Sequence, residues 1–520
     1  MHTHHERGIA LVLALFLMSA MSVLAASLMF LSQTETYASM NYRMMSQARY
    51  GGESAVQKAA NFLLDPAQYA VPNGADPLLN PAQCNHQVSP VTCGGQPVIL
   101  SATAAQASNY PVAAVQTAFN TAAQGSLAAG SATVNYSAYA TLIAMQQFDS
   151  FGGTQSVVQT WQITGVGALS GGRTATVEVA ATVETPKVPA NSYGAFAQDD
   201  GCGALTFQGN VTIDSYDSTG MAGSTAPTLD DSGGDVGTNG NLSIGGSVEV
   251  QGNLYTPRTG VGTCDQGHVN ALSETGNAEV SGSTVQLPSE IIYPTPTIPA
   301  PSLLSEASIQ HADATACPAL GLTAANCTIN GDNIIIDGHG ATLSLPSVRL
   351  TGHGNIVLVA SSPPAQYNFN SIFVGSQADI STKATSSTQA VIVDVVGLNP
   401  DNSTIATPID MQGGSFAAVN SCTGCSTLCA TCSVYDASML QFVYGGDGEI
   451  KMKGNSGAAA TFYAPNASVE YGGTSDLYGS VIAHRINEVG SGDIHYDRRL
   501  QKDFWVAGHP MASTFSWKRY

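Results

Sequence analysis

The stretch Ile9–Leu31, IALVLALFLMSAMSVLAASLMFL, decides how the rest of the chain is read. It runs 23 residues without a charge, directly after Glu6-Arg7-Gly8. As a helix rising ~1.5 Å per residue it reaches roughly 34 Å, enough to cross the hydrocarbon core of a bilayer. Arg7 is the only Lys or Arg ahead of it, which sets the short N-terminus on the cytoplasmic side and exports the remainder of the chain.

Three readings of this segment compete. A cleaved secretory signal has an apolar core of ~7–15 residues and a small-residue cleavage site. Val23-Leu24-Ala25 offers such a site, but the apolar run continues past it to Leu31. The second reading is a simple uncleaved anchor. The third places cleavage after a glycine at the cytoplasmic edge, at Gly8–Ile9, and keeps the whole helix in the mature chain. The pattern beyond Leu31 favours the third. Tyr37, Met40, Met44, Ala48, Gly51, Ala55, Ala59 and Phe62 recur at spacings of three and four, one face of a helix, and the pattern stops at Asp65-Pro66. One helix of over fifty residues is expected, with a weak point at Gly51-Gly52. Its stripe of Ala, Gly and Met suits packing against a head better than a coiled-coil seam.

Arg7-Gly8-Ile9-Ala10-Leu11-Val12, the apolar run, and Arg49-Tyr50-Gly51-Gly52-Glu53-Ser54-Ala55 resemble the N-terminal region of PilX-type minor pilins of type IV pili. They are also similar to K-type minor pseudopilins of type II secretion. The resemblance covers residues 5–65. It implies a leader at 1–8 removed between Gly8 and Ile9, and a transmembrane and pilin-type long helix over 9–65. In that helix Leu13, Phe16, Leu17, Leu24 and Leu28 would face the filament core. It implies as partners other pilin or pseudopilin subunits and the bacterial inner membrane. The N-terminus would lie inside, with the body periplasmic or on an extracellular filament. The fifth mature position departs from the pattern: most pilins carry Glu there, and this chain has Leu13. A carboxylate among packed helices is expensive unless paired. Its absence resembles the K-type subunits, which sit at a filament tip.

Composition fits an exported, β-rich body without catalysis. Gly makes up 54 of 520 residues, charged residues 10%, and 37 acids face 17 Lys and Arg for a net charge of −20. That excess speaks against nucleic acid and against polybasic attachment to anionic lipid. The ten cysteines fall in local groups: Cys84 with Cys93, Cys202 with Cys264, Cys317 with Cys327, then Cys422, Cys425, Cys429 and Cys432. An even count in an exported chain reads as disulfides. The last cluster also resembles a metal motif, but its two pairs lie three residues apart, where structural zinc sites leave a dozen or more. The pairing within the cluster stays open.

Beyond the helix, residues 66–195 read as a pilin-like α+β region with strands at Thr133–Met145, Ser156–Val166 and Thr174–Val183. From 196 the texture changes to short alternating strands between Gly-Asn and Gly-Gly turns. A first segment spans 196–287. A Pro-rich link and helical insert come next over 288–325, then a second segment over 326–500 and a C-terminal tail over 501–520. Short strands with brief turns suggest an all-β head, a right-handed parallel β-helix or solenoid, over the alternative of a sandwich.

Catalytic signatures are absent: there is no G-x-S-x-G, no H-E-x-x-H and no P-loop. Asp199-Asp200 and Asp230-Asp231 are adjacent, so strand alternation separates their side chains. Asp493, His495 and Asp497 would share one strand face, a weak candidate for a divalent ion or an acid/base pair against a hydrogen-bonded edge. The Gly445–Glu449 run reads as a β-turn or a calcium turn. No cofactor is called for. The expectation is a structural minor pilin-like subunit at initiation or tip, its head contacting a surface or polysaccharide. The competing reading is a membrane-anchored carbohydrate-active β-helix enzyme or adhesin unrelated to a filament.

Overall fold

A computed structural model describes residues 6–519 except 66, 74–75, 131, 150–154, 171–173, 257–262, 265–266, 269–271, 288–289, 376, 414–428, 455–457, 475 and 509–510. A single helix runs from Glu6 to Leu64, 59 residues. The chain then forms two compact units. The first comprises 1–148, 155–186 and 507–520, and the second 149–154 and 187–506.

In the first unit the helix lies on an antiparallel sheet. The strand order is Met511–Arg519, Ala175–Glu184, Gln155–Ser170, Ala132–Asp149 and Ile99–Ser101, with Gln124–Ala129 paired to Ala132–Asp149. Val177, Val179, Ala181 and Val183 alternate into the core, as period-two patterning requires. The helix contributes Ala48, Ala55, Val56, Ala59, Phe62 and Leu63. The expected stripe therefore divides. Ala48, Ala55, Ala59 and Phe62 are buried, whereas Tyr37 and Met40 are exposed because the sheet does not extend beneath them. A short helix, Ala113–Ala122, packs through Phe119, which meets Phe62 edge-on at 5.4 Å.

Residues 511–519 correct the reading of 501–520 as a tail. They add an edge strand in register with 177–184, for example Met511 opposite Glu184 and Trp517 opposite Val179. The second unit is thus an insertion between two neighbouring strands of the first.

The second unit is built almost wholly of parallel strand pairs. Its chain begins in the middle. Ala195–Ala197 and Leu205–Tyr216 pair on one side with Val236–Thr238 and Leu242–Val250, which pair in turn with Leu254–Thr256 and Leu272–Gly276. On the other side they pair with Leu477–Gly490 and Ile494–Asp497, the last strands of this parallel ladder. From there the stack continues backwards through Ala458–Gly473, Leu440–Tyr444, Val391–Val395 and Ala365–Phe369 to Leu343–Leu345. Inward side chains stack in register, as where Phe442 and Phe462 lie 5.0 Å apart and within 7° of parallel.

The Pro-rich link joins the two arms by running along the outside. Asn239 exchanges hydrogen bonds with the Ile291 backbone, Gln198 accepts from the Tyr293 amide at 2.7 Å, and the Tyr463 hydroxyl donates to Pro294. Asn370 closes the run by pairing with both backbone groups of Ser302. Buried Asn239 and Asn370 are thereby satisfied by the backbone of an extended segment that has few partners of its own. The expected helical insert is a correction as well. Ala307–His311 is a strand, and only Ala316–Ala319 is helical, a turn tied by the Cys317–Cys327 disulfide. Alternation of buried Ala307 and Ile309 draws the first of these into the parallel ladder.

Candidate functional site

Two features present chemistry. The first is the free half of the long helix. Every large apolar side chain from Ile9 to Leu31, Leu13, Phe16, Leu17, Leu24 and Leu28 among them, is between 56% and 74% exposed. Gly8 and Ile9 both lie inside the helix. The hydroxyls of Ser27, Thr34 and Thr36 donate to carbonyls four residues back, so this surface presents few unsatisfied polar groups. The helix is long and apolar enough to cross a membrane, and its apolar stretch is not buried against the rest of the protein.

Gly51-Gly52 is a seat rather than a weak point. A Cβ placed on Gly167 would strike the Ala48 carbonyl oxygen and lie 2.9 Å from the carbonyl carbon of Gly51. One on Gly52 would lie 2.9 Å from a Val179 methyl. Glycines on both partners let helix backbone and strand backbone touch, which no side chain at these positions would permit.

The second feature is a polar group where the last strands dock on the first. Asp214, His495 and Tyr478 occupy one register row on three adjacent strands. His495 Nδ1 lies 2.6 Å from Asp214 Oδ1, both side chains nearly inaccessible, and the Tyr478 ring packs 4.6 Å from the imidazole. Nearby, Asp493 Oδ1 accepts from the Thr212 amide at 2.7 Å, and Asp476 Oδ1 accepts from the Asp493 amide at 3.3 Å. Asp476, Asp493 and His495 each offer a ligand atom within 4.8 Å of the other two.

Asp497 does not join them, contrary to the strand-face reading. It is fully buried and accepts from the Ser218 amide and hydroxyl and from the Arg499 amide, closing the turn that ends the strand. Its place is taken by Asp476, one strand back. Burial pushes the Asp497 carboxyl up to about 6 and raises Asp493 as well. The adjacent acids are engaged separately, Asp199 with Arg485 and Asp230 with Arg498. In the Gly445–Glu449 run the Tyr444 hydroxyl accepts from the Gly448 amide and Glu449 pairs with Lys451 at 2.8 Å.

Glu488 is a carboxyl that sequence reasoning missed. It lies on the Leu477–Gly490 strand, level with Tyr471 and Phe207, and is fully buried. Neither oxygen reaches hydrogen-bond geometry, although the Gln208 and Gly492 amides lie close enough to favour its charge. Burial dominates, with Asp493 adding repulsion, and pushes the group up to about 8. The folded form therefore holds a proton that the unfolded chain releases near pH 4–5. The stability that Glu488 contributes is fully present below that and is lost as pH rises towards 8, by up to ~1.4 kcal/mol per pH unit. Glu488→Gln should flatten this slope. Melting both chains between pH 5 and 8 tests it, since Asp497 titrates alike in each; parallel curves would refute the assignment.

Three disulfides are described: Cys84–Cys93, Cys317–Cys327 and Cys429–Cys432. Cys202 is also disulfide-bonded, and no described cysteine is free. Cys422, Cys425 and the side chain of Cys264 lie outside the described residues. The Cys429–Cys432 bond leaves neither sulfur as a thiolate ligand.

Residues 411–503 match the model of a domain of unknown function, DUF7305, which takes in Asp476, Asp493 and His495 but not Asp214. No curated protein matches the sequence. Among solved structures, the crystal structure of competence-associated pilin ComZ from Thermus thermophilus is similar at 13% identity and a TM-score of 0.21, the match covering 92% of this chain and 98% of that one.

Proposed function

We propose that the chain is a minor pilin-like subunit of a type IV pilus or related pseudopilus. One observation carries the reading: a single 59-residue helix leaves one half wholly exposed and apolar and seats the other on an antiparallel sheet. An exposed apolar surface of that extent needs a membrane or neighbouring helices around it. The exposed half would lie first in the inner membrane and then among the helices of other subunits, with Leu13, Phe16, Leu17, Leu24 and Leu28 in the filament core. The lack of an acid at position 13 suits assembly initiation or a tip, where no subunit above supplies a charge to pair.

The head reads as a parallel β-helix, supported by the in-register parallel ladders and inward stacks. It would contact a surface or polymer. A non-enzymatic role is supported by the engagement of Asp199 and Asp230 in ion pairs with arginines. N-terminal sequencing of the protein from its native membrane tests the proposal. The expected first residue is Ile9. A start at Ala26 or Ser27 would show a secretory signal and remove the filament role.

A further inference from the structure

We propose that Asp476, Asp493 and His495 form a binding site for a divalent transition metal of the zinc type. Each prospective ligand is already held by one atom. Asp476 Oδ1 takes the Asp493 amide, Asp493 Oδ1 takes the Thr212 amide, and His495 Nδ1 faces Asp214. One oxygen of each carboxylate and the His495 Nε2 remain, and none has a hydrogen-bond partner among the described residues. The His495 side chain is 5% exposed and its Nδ1 is committed to Asp214, which leaves Nε2 as the nitrogen open to a ligand. A ligating imidazole whose other nitrogen is fixed by a carboxylate is the arrangement that orients metal-bound histidines.

Charge points the same way. Nearby acids have cations: Asp199 has Arg485, Asp230 has Arg498 and Asp436 has Arg499. Asp214, Asp476 and Asp493 crowd around one imidazole, and among the described residues no Lys or Arg pairs with any of them. A divalent ion supplies the missing positive charge. One nitrogen and two carboxylates suit zinc better than calcium or magnesium, which take oxygen ligands.

The test uses the full chain in detergent, stripped with EDTA and titrated with Zn²⁺ by calorimetry, beside Asp476→Asn. That position is partly exposed, so the variant should fold, and circular dichroism checks that it does. His2, His4 and His5 are common to both proteins, so any zinc they bind cancels. The expected result is one site in the wild type that weakens at least tenfold in the variant, with Zn²⁺ raising the melting temperature of the wild type only. Equal zinc binding by the two chains would overturn the site. Competition by Ca²⁺ at equal concentration would overturn the choice of metal class.

Discussion

Gly167→Val should unseat the long helix from its sheet. The Gly167 Cα faces the Ala48 carbonyl and the backbone of Gly51 and Gly52, so a valine side chain would meet main chain on several sides rather than a mobile side-chain end. Overpacking of a core costs about 1–3 kcal/mol where side chains can yield, and more where they cannot. We expect a loss of at least ~3 kcal/mol, a fall of roughly 6–12 °C in the melting temperature of a unit this size. The helix at Ala48–Ala55 should become open to protease. Thr176→Val, at an exposed position on the neighbouring strand, is the control and should change little. A melting point within about 2 °C of wild type, well under the shift that such a loss implies, would mean that the helix does not rest on these glycines.

Ending the chain after Gly508 should have a still larger effect. The truncation removes the strand Met511–Arg519 and strips Ala175–Glu184 of one ladder, from Val177 to Glu184. Each backbone hydrogen bond lost contributes about 0.5–1.5 kcal/mol net. Summed over the ladder, this is comparable with the whole stability of an ordinary domain. The truncated protein should fail to accumulate, or expose the first unit to limited proteolysis while residues 190–500 remain resistant. A dispensable tail would leave accumulation and proteolysis unchanged.

Local periodicity makes the long helix and the strands near 156–166 and 174–183 legible in the sequence. A stripe of Ala and Gly at helical spacing and an alternation of valines are decided by neighbours a few residues away. The strand 511–519 is not legible in the same sense. Its composition permits a strand, but nothing within it names a partner more than 300 residues earlier. The helical insert read within 288–325 misleads for a related reason: nothing within the segment shows that the parallel ladder through Val348 claims Ala307–His311 as strand.

The candidate site shows the same limit on a smaller scale. Asp493 and His495 are found from alternation along one strand. The strand does run on to Asp497, its last residue, but there the carboxylate is taken by Ser218 and the Arg499 amide, partners that the alternation does not reveal. Asp476 and Asp214 enter from adjacent strands, through a lateral register in which Leu477 and Ile213 both lie opposite Ile494. No motif within one strand encodes that neighbour. An unpaired interior carboxyl such as Glu488 likewise looks, in sequence, like any exposed acid.

The inserted unit begins with its central strands, and this bears on how the protein must be made. Leu205–Tyr216 leaves the ribosome early, yet its second edge stays bare until the strands Leu477–Gly490 and Ile494–Asp497 arrive, nearly 300 residues later. The strand Ala175–Glu184 waits longer still, for residues 511–519. An unpaired edge held open through synthesis is a template for aggregation, and contacts this distant in sequence form slowly. Both units thus depend on strands that lie far downstream of their partners, at 477–497 in one and 511–519 in the other. Neither sheet can close until those distant strands have been made, so the folding of both units is held back behind the synthesis of the segment between the partners.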